Sequence, residues 1–359
     1  MRFFCKRRIA FGAVLAAYFL ASAAFAESKS ERIDSLMTAY HKNGGFNGAI
    51  LVAEKGEVVF RGGFGDANME WGVPNTADTK FRLASITKQF TSMLIMQLVE
   101  KGKLSLDGKL ADYLDYYRKD VGEKVTIRQL LNHTSGIPSY TGSADFMQNK
   151  VRDPYAPEEF VKKYCSDDLE FEPGSKFKYN NSGYFVLGAI IETVTGGKYE
   201  DALREMIFEP LGMKNSGYDH HGRLTARRAS GYHRNQQGEF INAPYLDMSI
   251  PYAAGSLYST VEDLYLWDQA LYTEKLISEA SKREMFTPEL SNYAFGWGVR
   301  KMPSPNGGSD SLKVTAHSGG IFGFNTIIFR FVEERHLIVM LRNAPGAKVA
   351  LANFANRSH

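Results

Sequence analysis

Ser85 and Lys88, in the stretch "FRLASITKQF", are three residues apart. On a helix that spacing places both side chains on one face. A serine there is a nucleophile and the lysine is its candidate base. Desolvation on an apolar helix disfavours the charged form of a lysine, which lowers its pKa and equips it to take a proton. Ser175 and Lys178 repeat the spacing in "EPGSKFKY". Pro173 and Gly174 predict a turn there, where the two side chains do not share a face.

Two further groups extend the chemistry. "KYNNSGY" holds Tyr179 and Asn181, the only Y-x-N in the chain. A phenol beside a lysine exchanges protons with a serine or a leaving group, and an amide binds a carbonyl. Read locally, the same stretch is a turn before a helix, with Asn181 or Ser182 as its cap. "TAHSGG" places His317, Gly319 and Gly320 at the end of a strand, where glycines admit a substrate to the strand edge and a backbone N–H can face an oxyanion. A second H-x-G, at His220–Gly222, lies in a polar loop with no strand before it. G-x-S-x-G, H-E-x-x-H, phosphate-binding and dinucleotide-binding patterns are absent, and the histidines and cysteines show no zinc spacing.

The elements that must position these groups follow from periodicity. Residues 1–26 combine the basic "MRFFCKRR", an apolar run and a small-residue site ending at Ala26, the pattern of a secretory signal cleaved after that residue. The expected compartment is therefore periplasmic or extracellular, with no stable membrane anchor once the signal is removed. The signal holds four bases and no acid, so the rest of the chain carries 39 bases against 40 acids. Nothing in that balance points to a nucleic-acid partner, and none is expected. Cys165 is then the only cysteine, so no internal disulfide forms.

After a helix over 29–42, "GAILVAEKGEVVFRGGFG" predicts a hairpin turning at "EKGE". Apolar residues nearly encircle 85–101, so that helix is buried. Helices are expected in "TIRQLLNHTSG", "YFVLGAIIETVTGG", "YEDALREMIFEPLGM" and "EDLYLWDQALY". "YAFGWGVRK", "LKVTAHSGG", "FNTIIFRFVEE" and "RHLIVMLRNA" read as a strand meander, followed by a short final helix, "AKVALANFAN". Strands at both ends with helices between predict an α/β (α+β) fold: one antiparallel sheet from the N- and C-terminal segments, flanked by helices, with an inserted all-helical subdomain. The expected partition is a sheet part over about 27–100 and 256–359 and a helical part over about 101–255.

The order S-x-x-K, Y-x-N, H-x-G resembles that of the penicillin-recognising serine hydrolases. Within them it is similar to the group of class C β-lactamases, serine D-Ala-D-Ala carboxypeptidases, related esterases and D-amino-acid peptidases. "TKFRLASITKQFTSMLIMQLVEKGKLSLDGKLADYL", "TIRQLLNHTSGIPSY" and "FEPGSKFKYNNSGYFVLGAIIETVTG" resemble recurring segments of that group, and the likeness covers nearly all of the chain after residue 26. It implies a β-lactamase-like fold with the site in a cleft. It implies Ser85 as the acylated nucleophile, Lys88 as its base and Tyr179 as a proton shuttle. Asn181 binds the substrate amide, His317, Gly319 and Gly320 line the opposite wall, and the N–H groups of Ser85 and Gly320 form the oxyanion hole. No metal or organic cofactor is implied.

Class C β-lactamases carry lysine where His317 stands. A histidine there favours peptidase or esterase chemistry over β-lactam hydrolysis. The expected activity is an acyl-enzyme hydrolase of D-amino-acid peptides, with a peptidoglycan stem peptide or a β-lactam as possible partner. An esterase or weak class C-like β-lactamase is the alternative among enzymes, and a slowly deacylating penicillin sensor or cell-wall-binding module the alternative outside them. Loops at 139–170 and 219–250 are where substrate choice is expected to reside. If His317 meets a substrate carboxylate as imidazolium, kcat/KM has a limb near about pH 6–7.

Overall fold

The computed structural model describes residues 27–303 and 311–346. The expected signal at 1–26 and final helix at 347–356 lie outside these. Ser28 caps α1 (Lys29–Lys42) by accepting from the N–H of Glu31, whose side chain returns a bond to the Ser28 N–H. The expected hairpin follows as β1 (Gly48–Glu54) and β2 (Glu57–Phe64). Lys55 and Gly56 turn it with φ of 52° and 85°, the left-handed pair that suits the twist of two antiparallel strands.

β1 alternates its faces. Ala49, Leu51 and Ala53 point into the main core, while Ile50 packs with Met37, Phe46, Phe60, Phe64 and Met340 under α1. The C-terminal meander supplies β3 (Gly298–Pro303), β4 (Ser311–Ile321), β5 (Phe324–Phe331) and β6 (His336–Arg342). The sheet runs β3-β4-β5-β6-β1-β2, antiparallel throughout. Ala49 pairs with Leu341, which joins the two ends of the chain.

The main core lies on the other side of this sheet and continues into the helices. α2 (Thr87–Glu100) is buried at every position from Thr87 to Leu98. Phe90 stacks on Trp267 of α5 (Val261–Ala270) with ring centres 4.4 Å apart. α3 (Asn181–Thr195) and the one-turn α4 (Tyr252–Gly255) pack beside α2. Two short strands, Tyr232–Arg234 and Phe240–Asn242, form a ribbon within the helical region.

Two boundaries differ from expectation in ways that shape the site. Ser85 does not open the α-helix; it sits in a 3₁₀ turn, Ala84–Ile86, ahead of α2. The strand expected from Tyr293 begins only at Gly298. The Ala294 N–H bonds to the Trp297 carbonyl across a tight turn, and Gly296, at φ 79°, lies against the α2 backbone at Lys88, where any Cβ would collide. The turn frees Tyr293 to face inward.

Candidate active site

Ser85 stands where three elements meet. Its turn is tied to the short strand Leu257–Ser259 by the Leu83 N–H to the Leu257 carbonyl, 2.7 Å, and to β5 by the Thr326 hydroxyl to the Leu83 carbonyl, 2.8 Å. Ala84 adopts φ 50°, which is strained for a residue with a Cβ and costs about 1–2 kcal/mol. Gly319 is the reason β4 can come this close: a Cβ there would strike the Leu83 carbonyl and the Thr326 hydroxyl. Gly320 is different. A Cβ at Gly320 meets only the Asn325 side chain, at 3.9 Å, so its surroundings are open to a ligand.

Lys88 is fully buried, one turn below Ser85. Its Nζ is 2.8 Å from Asn181 Oδ1, 2.8 Å from the Ala254 carbonyl and 3.3 Å from Ser85 Oγ. Burial holds its pKa well below the ordinary lysine value, and no ion pair with Lys88 forms among the described residues. The two carbonyl-type oxygens can only accept. Nζ donates to both, and its third bond lies toward Ser85 Oγ, where an ammonium donates and a neutral amine offers its lone pair. Asn181 is oriented in turn, donating from Nδ2 to Thr141 Oγ1 at 3.0 Å. The cap of α3 is Asn180, not Asn181 or Ser182: its side chain accepts from the Gly183 N–H, which leaves Asn181 free for the site.

Tyr179 and His317 complete the opposite side. Lys88 Nζ lies 5.0 Å from the centre of the Tyr179 ring. Tyr179 as a residue is 37% exposed, yet desolvation by its neighbours raises the phenol above its usual range, partly offset by hydrogen bonding with Ser85, so the phenol keeps its proton. His317 Nε2 lies 2.9 Å from the Tyr293 hydroxyl, and its Nδ1 2.7 Å from the Ser318 carbonyl. A carbonyl only accepts, so Nδ1 carries the proton and Nε2 accepts from Tyr293. Burial, with Lys88 nearby, pushes the His317 pKa down to about 3. The imidazolium expected to meet a carboxylate, and its limb near about pH 6–7, are thereby corrected.

His133 belongs to this group and was not singled out in the sequence. Its backbone, at φ 62°, accepts from the Lys178 N–H, and its ring Nδ1 accepts from the Asn180 N–H at 3.2 Å. The histidine thus holds the chain on both sides of Tyr179, whose ring it packs against at 4.3 Å. Its Nε2 has no hydrogen-bond partner among the described residues. Burial drives its pKa well down, with Lys88 and His317 adding to the shift. Arg300 of β3 was also missed; it lines the outer mouth beside Ser85, Tyr179 and His317. A histidine in "LNHTSG" and an arginine on a strand carry no local signal of either place.

The duplicate motifs lie elsewhere. Ser175 donates to the Glu172 carbonyl and Lys178 pairs with Glu170 on the surface, while His220 bonds to Glu200 at 2.8 Å. Among the described residues, no cluster of three or more His, Cys, Asp or Glu side chains is placed to hold a metal. Nor is any described helix long and apolar enough to cross a membrane.

A family model described as Beta-lactamase matches residues 33–358. Penicillin-binding protein 4* of Bacillus subtilis (strain 168) is 32% identical over 341 residues, covering 88% of this chain and 72% of that protein. The crystal structure of a penicillin binding protein from Bacillus halodurans superposes with a TM-score of 0.75 at 27% identity, over 87% of this chain and 94% of that one. D-amino acid amidase from Ochrobactrum anthropi SV3, complexed with L-phenylalanine amide, gives 0.72 at 28% identity, over 87% and 90%.

Proposed function

Because the chain belongs to the Beta-lactamase family and is a serine hydrolase, we propose that it is exported and cleaves amides of D-amino-acid peptides through an acyl-enzyme at Ser85. The observation that carries this reading is the setting of Lys88, a buried amine donating to two carbonyl-type oxygens with Ser85 Oγ 3.3 Å from its nitrogen.

Ser85 Oγ attacks the substrate carbonyl as its proton passes to Lys88 Nζ. The N–H groups of Ser85 and Gly320 receive the oxyanion. Collapse breaks the C–N bond, and the proton held by Lys88 reaches the leaving nitrogen by way of the Tyr179 phenol. Water then attacks the ester, giving a proton back along the same route and restoring Ser85. Asn181 contributes twice, fixing the Lys88 lone pair and presenting its amide to the substrate. His317 acts as a neutral wall whose position is set by Tyr293. Without a cation at that position, β-lactam turnover is weak, and the peptidase reading is preferred to the β-lactamase one.

The test is a time course of intact mass on the chain beginning at residue 27, with a penicillin and separately with an N-acylated D-Ala-D-Ala peptide, following product in the same tube. Expected are an adduct on Ser85 with penicillin that clears slowly, peptide turnover, and neither in Ser85→Ala. Full activity in Ser85→Ala sinks the mechanism. Rapid penicillin hydrolysis with little adduct would make the protein a β-lactamase instead.

A further inference from the structure

A cavity of about 380 Å³ opens beside Ser85, on the side of Asn181. Its far walls come from the two loop regions expected to set substrate choice and from the turn after β4. Tyr140, Met147, Leu246, Ile250, Ile321 and Phe322 form most of its apolar surface. No Asp, Glu, Lys or Arg lines it among the described residues. Of the polar side chains that reach it, several are engaged: the Tyr140 hydroxyl donates to the Ile250 carbonyl at 3.0 Å, Thr141 and Asn181 bond to each other, and His233 Nε2 accepts from the Gly323 N–H at 2.9 Å; Asn325 and Ser85 add neutral polar groups. Its volume is at the small end for ligand sites, enough for a compact acyl group. The outer mouth on the His317 side likewise has no acidic residue, and its one charged side chain is Arg300.

A charged group of either sign entering the cavity finds no counter-ion there, and a cation at the outer mouth meets Arg300. Removing an ammonium from water without a partner is strongly unfavourable. We infer that the acyl-donor half of the substrate is apolar and uncharged: a D-amino acid with an aliphatic or aromatic side chain whose α-nitrogen is acylated, as within a peptide, and not a free amino-acid amide. This rests on the proposed acyl-enzyme at Ser85 and adds the charge and polarity of its donor.

The experiment compares four p-nitroanilides with the same leaving group: N-acetyl-D-phenylalanyl, N-acetyl-D-lysyl, N-acetyl-D-glutamyl and unblocked D-phenylalanyl. Both kcat/KM and the Ser85 adduct by mass are recorded at pH 6.5 and 8.5. At pH 6.5 the N-acetyl-D-phenylalanyl compound is expected to exceed each of the other three by about 100-fold, the scale at which unpaired polar groups are rejected by a closed site. The unblocked compound should gain on its acetylated partner at pH 8.5, as its α-ammonium, ordinarily near about 7.7–8.0, loses its proton. Met147→Glu, at a half-buried wall position, should raise the N-acetyl-D-lysyl rate about 10-fold relative to the phenylalanyl one. Equal kcat/KM across the panel, with Ser85 acylated, overturns the inference and leaves the acyl-enzyme reading standing. A preference for the unblocked compound at pH 6.5 overturns it too. Absence of a Ser85 adduct with every member overturns the reading and the inference together.

Discussion

The two sides of Ser85 are built by different physics. On one side, Lys88, Asn181, Thr141 and the Ala254 carbonyl form a directional hydrogen-bond network in which each named polar atom has a partner. On the other, Tyr179, His133, Tyr293 and His317 are positioned mainly by ring packing, with centroids 4.3–6.2 Å apart. There His133 Nε2 is unpaired among the described residues. The network fixes the direction of the amine, because two acceptors take two of its bonds and leave the third pointing toward the serine. The ring cluster fixes position, and its histidines are held toward the neutral form chiefly because burial opposes a charge. Strained backbone serves both. Ala84, His133 and Tyr252 are non-glycine residues at positive φ; they precede the nucleophile, grip the phenol and open the turn that presents the Ala254 carbonyl.

The strongest way to break the comparison is to remove what both sides serve. Ser85→Ala is expected to lower kcat by about 10⁵-fold or more with unchanged folding, as deletion of an acylated nucleophile does; a steady-state assay with a far-UV spectrum checks it. Asn181→Asp attacks the network alone. A carboxylate 2.8 Å from Nζ favours the ammonium, so the acid limb of kcat/KM should move up by about one to three pH units. The rate at neutral pH should fall accordingly, and a pH–rate profile with an unmoved limb would show that Lys88 is not the base.

Acid should act on the ring cluster. The folded pKa of His317 is about 3, against an unfolded value near 6.5, so below about 6.5 the unfolded chain binds a proton that the folded one does not. Stability is therefore full above about 6.5 and falls as pH drops toward 3, by up to about 1.4 kcal/mol per pH unit for this group, with His133 adding in the same direction. Urea denaturation between pH 4 and 7 measures the slope. His133→Phe keeps a ring against Tyr179 and removes one of these titrations, so its slope should be shallower. At pH 7 it should cost about 1–3 kcal/mol, because the buried Asn180 N–H loses its acceptor.

Much of the fold was legible locally. The hairpin over 48–64 followed from β-branched runs flanking a turn, and α2 from apolar residues on nearly all its faces. The strand start near Tyr293 was misplaced because the Ala294–Trp297 turn is made to fit α2, a contact no local pattern records. Asn181, expected to bind substrate, bonds to Lys88, while Asn180 took the cap. His133 was overlooked, since its role depends on the segment 178–180, which pairs with it across more than 40 positions of chain.

The sequence by itself determined which serine, amine, phenol and amide are present, in what order, and which strands and helices carry them, because residue type and periodicity are local properties. Only the tertiary structure decided their charge states. Lys88 finds its acceptors 93 and 166 positions away in the chain, and His317 meets its hydrogen-bond donor 24 positions back. A pKa answers to burial and to neighbours, and both exist only once those distant segments have been packed around Ser85.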